Sequence, residues 1–117
     1  MVKTIVATAM LAFLAVGCGQ SADRFVHTTN DRLPAIGVAA VRDHDTPPSG
    51  FVKTGQIAVT RNDPRGPELA RNAAREVVKR LAAQNGASDV VYVNEDIEGE
   101  SGSPSTARIR ADAGTAP

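Results

Sequence analysis

The chain has 117 residues, with 13 basic and 13 acidic side chains, one cysteine, no tryptophan, one tyrosine and three phenylalanines. That length holds one small domain, and the balanced charge excludes a bulk nucleic-acid binder, whose domain carries a basic excess. A lone cysteine excludes an internal disulfide framework and a thiolate-rich zinc cluster, and so few aromatics leave little for a stacking platform.

Residues 1–17 read as a signal peptide. Lys3 supplies a short positive region, and Ile5 to Val16 follows as an uncharged, mostly apolar run. As a helix that run rises about 18 Å, short of a hydrocarbon core of about 30 Å. It is apolar all round and presents no amphipathic face to a core, so it reads as an address segment and not as a span. It ends Leu14-Ala15-Val16-Gly17-Cys18, which resembles the lipobox of bacterial lipoproteins. In that class a small residue precedes a cysteine whose thiol takes a diacylglycerol. The peptidase then cuts before the cysteine, here between Gly17 and Cys18, and the new amine is acylated with a chain such as palmitate. Ala15 stands where the class usually has Leu. An unpaired thiol in an oxidising compartment is a liability, which favours the lipid. The resemblance implies lipidation at Cys18 and a place in the cell envelope. Gly19 in place of Asp after the cysteine implies the outer membrane, facing the periplasm, in a Gram-negative host. The alternative is a soluble secreted or periplasmic stress-response protein without the anchor.

Cleavage before Cys18 leaves 100 residues with 12 basic and 13 acidic side chains, and 15 of them are alanine. The core is therefore small and built from Val, Ile, Leu and Ala. Residues 18–33 lack periodicity and read as a lipidated flexible tether, about 20 Å in r.m.s. length for a random coil. Residues 34–111 read as a small α+β domain. Ile36 to Val41 is its first predicted strand, followed by a Pro-rich turn and a second strand, Phe51 to Thr60, in which Ile57 and Val59 alternate with polar or small neighbours. A helix follows from about Pro67, a residue suited to the first helical position, to Asn85. Leu69, Ala73, Val77 and Leu81 recur every four residues beside Ala70, Ala74, Val78 and Ala82, making one apolar face. Gly86 is its left-handed stop. Val90 to Val93 reads as a central strand, reached from the second by a parallel crossover. Glu95 to Pro104 reads as an acidic loop. Thr106 to Ala111 alternates and reads as an edge strand guarded by arginines, and residues 112–117 as a disordered tail. The predicted architecture is β-β-α-β-β, a single three- to four-stranded sheet with one amphipathic helix on one face.

The segment Lys53-Thr54-Gly55-Gln56-Ile57-Ala58-Val59 and the helix running into Asn85-Gly86-Ala87-Ser88-Asp89-Val90-Val91 resemble small bacterial envelope families. These are the YhcN-like periplasmic stress proteins and the Rcs outer-membrane sensor lipoproteins. The likeness covers residues 53–94 and the lipobox. The disulfides of the Rcs sensor have no counterpart, because no cysteine follows Cys18.

Candidate chemistry is sparse. His44 lies between Asp43 and Asp45 in a Pro-rich stretch, a combination that can bind a metal or orient a base. Adjacent residues do not easily converge on one ion, so the stretch reads as a solvated turn. Asp89, Glu95, Asp96, Glu98 and Glu100 lack calcium-loop spacing and read as a solubilising loop. Arg71, Arg75 and Lys79 share one helix side and form a basic stripe suited to phosphate-bearing lipid or an acidic partner. The reading is a non-enzymatic binding domain with no catalytic residue, cofactor or metal. Its expected partners are the membrane, through the lipid, and an unidentified envelope protein or lipid, with no nucleic acid.

Overall fold

A computed structural model describes residues 23–117. Among the described residues the fold is α+β, with one α-helix and one mixed sheet. In chain order the elements are β1 (Arg24–His27), a 3-10 turn (Val38–Ala40), β2 (Arg42–His44), β3 (Val52–Asp63), α1 (Pro67–Gln84), β4 (Asp89–Glu98) and β5 (Ser105–Thr115). The sheet has five strands in the order β1-β3-β5-β4-β2, not three or four. Signal peptide, Gly17 and Cys18 lie outside the described residues.

The helix forms where its periodicity places it. Pro67 occupies the first turn with Glu68, and Gly66 enters at φ 147°. Ala70, Ala74, Val77, Val78, Ala82 and Ala83 are buried, whereas Leu69 is exposed. The face is thus rotated toward the alanine row. At the far end Ala87 N donates to Ala82 O, Gly86 N to Ala83 O, and Asn85 Nδ2 to Leu81 O. The small side chains let α1 lie close over Ile57 and Val59 of β3, Val90 of β4, and Ala107, Ile109 and Ala111 of β5, all 2% exposed or less.

Four local expectations are corrected. β5 is the central strand, hydrogen-bonded to β3 and β4 on its two sides. Its alternation of buried Ala107, Ile109, Ala111 and Ala113 with exposed Arg108 and Arg110 reports that only one sheet face is covered, which a central antiparallel strand shows as readily as an edge. In consequence β3 and β4 run parallel but are not neighbours, since β5 lies antiparallel between them. Residues 36–41 turn instead of extending. Ala40 N donates to Gly37 O and Val41 N to Val38 O, and the strand begins only at Arg42; so short an apolar run does not specify its own conformation. The first four residues of the acidic segment, with Glu95, Asp96 and Glu98, belong to β4, which runs to Glu98.

Both ends of the domain are more ordered than expected. Arg24–His27, placed in the tether by sequence, pairs antiparallel with Gly55–Ala58. Phe25 lies against Gly55, where even a Cβ would come within 2.3 Å of the ring. Asp112–Thr115, read as tail, continues β5.

Candidate functional site

Strand alternation divides the polar residues between two faces. On the helix side the predicted basic stripe meets the sheet. Arg75 Nε donates to Glu95 Oε2 at 2.5 Å, and its guanidinium stacks 4.2 Å from the centroid of Tyr92. Tyr92 donates its hydroxyl to Asp43 at 3.1 Å, and Lys79 lies 3.5 Å from the same carboxyl group. Burial, with the Asp43 charge beside it, raises the Tyr92 pKa far above its ordinary value. Arg71 stands apart, 3.9 Å from Glu68. The structure therefore brings Arg75 and Lys79 into one ladder with Asp43, Tyr92 and Glu95, in which each cation already has an anionic partner. Arg75→Ala removes a charge-assisted bond and a cation–π contact, both partly solvated. Its expected cost is about 1–2 kcal/mol, read from the urea midpoint.

Asp43 and His44 are not a solvated turn. As successive residues of β2 they point to opposite faces, so the Asp-His-Asp sequence never converges. His44 Nε2 meets Asp89 Oδ1 at 2.8 Å on the helix-free side. Asp89 has no solvent exposure. It also accepts from Ser88 Oγ at 2.6 Å, Arg42 Nη2 at 3.1 Å and the backbone N–H of Ala116 at 3.0 Å. Burial alone would raise its pKa, but the bonds from Ser88, His44 and Arg42, with the Arg42 charge, hold it below the ordinary carboxylate value. No group of three or more His, Cys, Asp or Glu side chains suited to a metal occurs among the described residues.

The helix-free face carries a cavity of about 270 Å³ that sequence reading missed. Arg24 pairs across to Ala58, and Ala58 pairs across to Arg110, so two arginines flank one small residue in a single cross-strand row. The missing bulk at Ala58 opens the cavity between them. Lys53, Asp112, Val26 and Val93 are among its other lining residues. Lys53 is 3.3 Å from Asp112, while among the described residues Arg24 and Arg110 make no ion pair. No local signal marks this site, because its two arginines meet only through the register of three strands.

No family model matches the chain, and no curated protein matches it. Among solved structures, the crystal structure of the Francisella virulence factor FvfA is similar, with a TM-score of 0.61 and 19% sequence identity over 78% of this chain and 94% of that one. At that identity the likeness establishes a shared fold.

Proposed function

We propose that the chain is a lipid-anchored cell-envelope lipoprotein, held at the outer membrane and facing the periplasm, whose small α+β domain binds an envelope component without catalysis. The observation that carries this reading is the Leu14-Ala15-Val16-Gly17-Cys18 sequence closing an uncharged apolar run. The position of β1 supports it. The strand begins at Arg24, six residues beyond the cysteine. An acyl group on Cys18 would keep the sheet close to the bilayer, and three acyl chains exceed the two signals that stable anchoring needs.

Arg71, Arg75 and Lys79 are the interaction surface that the sequence suggests. The ion pairs of Arg75 and Lys79 favour a supporting role for them, and the helix-free face is the better binding surface. In a Gram-negative host, radiolabelled palmitate is expected in the wild-type protein and not in Cys18→Ser. Equal labelling of the two would sink the reading. Ala15 in place of the usual Leu favours a second reading, a soluble secreted or periplasmic stress protein. It predicts an unmodified mature N-terminus by mass spectrometry.

A further inference from the structure

We propose that the helix-free sheet face docks on the anionic headgroup surface of a phospholipid bilayer through Arg24, Lys53 and Arg110. Three cations and one carboxylate line the cavity, which leaves an excess of two positive charges there. Elsewhere on the same face the charge is answered locally: Arg108 lies 4.0 Å from Asp96 and 3.6 Å from Glu98, and Arg42 lies 3.0 Å from Asp89. The unanswered charge is thus confined to the β1 side of the sheet. Val26 and Val93 flank it, 46% and 54% exposed. Cations beside exposed apolar side chains suit the boundary between headgroups and acyl chains.

The chain's exit from the domain adds the second argument. Asp23 lies 2.6 Å from Arg61 and accepts from the Thr60 backbone N–H at 3.2 Å. Asp23, one residue before Arg24, is therefore where the segment carrying Cys18 joins the fold. Cys18 is six residues before Arg24, a span of at most about 22 Å when fully extended. An acyl anchor on Cys18 would then hold the β1 side of the sheet, where the unanswered charge lies, within about 22 Å of the headgroups. That closeness rests on the lipoprotein reading, whereas the affinity of the face for headgroups does not.

The test uses the mature chain, residues 18–117 with Cys18→Ser, sedimented with phosphatidylcholine vesicles that contain or lack phosphatidylglycerol. Binding only to the anionic vesicles is expected, weakening with salt. Each cation near an anionic surface raises partition about fivefold, so Arg24→Glu with Arg110→Glu should lower it at least about tenfold. Arg108→Glu, a reversal on the same face outside the cavity, should keep most of the binding. Arg24→Gln with Arg110→Gln decides the matter if the double reversal fails to fold by circular dichroism. Equal partition of wild type and the Arg24 and Arg110 variants overturns the proposal, as does equal binding to neutral vesicles. Displacement by inorganic phosphate beyond that by chloride at equal ionic strength overturns it too, in favour of a small-anion site, and saturation of the face by a purified envelope protein without any vesicle binding overturns it in favour of a protein partner. Palmitate labelling of the intact protein is scored separately: label without vesicle binding rejects only the docking face, and vesicle binding without label rejects only the anchor.

Discussion

Asp89→Ala is expected to destabilise the domain by about 2–4 kcal/mol, since it leaves several donors facing the space where a carboxylate stood. Asp89 is fully buried, and its donors come from separate parts of the chain: Arg42 and His44 on β2, Ser88 before β4, and the backbone of Ala116. Arg42 and His44 retain 52% and 23% of their side-chain exposure, so water can partly replace the lost partner for them. The Ala116 N–H, half-buried, recovers less. β2 has three residues and pairs only with β4, so loss of this carboxylate should free the strand. Hydrogen exchange at residues 42–44 is expected to rise well beyond the change elsewhere. Small domains sit near the low end of a total stability of about 5–15 kcal/mol, so the effect should be plain in a urea melt. Asp89→Asn keeps the shape while replacing one acceptor oxygen by a donor, and an intermediate cost is expected. A change under about 1 kcal/mol for alanine would mean that the cluster is peripheral to stability.

The same carboxylate sets the direction of the pH response. Its folded-state pKa is depressed relative to an unfolded value of about 3.9. A depressed carboxylate contributes its stability fully above the unfolded pKa and loses it as pH falls through the folded value. The wild-type urea midpoint should therefore decline on acidification below about pH 4, more steeply than that of Asp89→Asn. Parallel curves for the two would assign acid sensitivity to other carboxylates.

What could be read from the sequence was local. The four-residue recurrence from Leu69 to Ala82 found α1, and alternation through Ile57 and Val59 found β3, because each is set by neighbours three, four or two residues away. The alternation of β5 marks a strand but not its place in the sheet, since it tells which faces are covered and not which strands stand on either side. β1 was missed because four residues hold no periodicity of their own, and its pairing depends on the space left above Gly55. The sites follow the same division. Arg71, Arg75 and Lys79 were visible as a stripe, but their partners Asp43 and Glu95 lie on distant strands. In the sequence Asp89 is one of several acids, and its local signal is its place directly before the apolar run Val90-Val91-Tyr92, where a charged side chain must find donors. Arg24 and Arg110, 86 positions apart in the chain, become neighbours only through Ala58.

Gly86→Ala is expected to cost about 3 kcal/mol, more than left-handed strain alone would predict, which is about 1–2 kcal/mol. Gly86 ends α1 at φ 74°, and a Cβ there would come 2.4 Å from the Leu33 Cβ and 2.6 Å from the Pro34 carbonyl oxygen. The second contact is with backbone, so no rotamer change relieves it. The segment it strikes is held by a bond from the Ile36 N–H to Ala83 O, at 2.9 Å, and Ile36 packs against the core. A side chain at position 86 must therefore either distort the helix end or lift residues 33–36 away, taking Ile36 off the core. Gly86→Asn separates the two causes, because asparagine accepts the left-handed region but still carries a Cβ. A melting temperature for Asn close to that for Ala would assign the loss to the collision with Leu33 and Pro34, accompanied by faster exchange of the Ile36 amide. Recovery of most of the loss in Gly86→Asn would show instead that residues 33–36 yield readily, and that the helix stop needs glycine only for its dihedral angle.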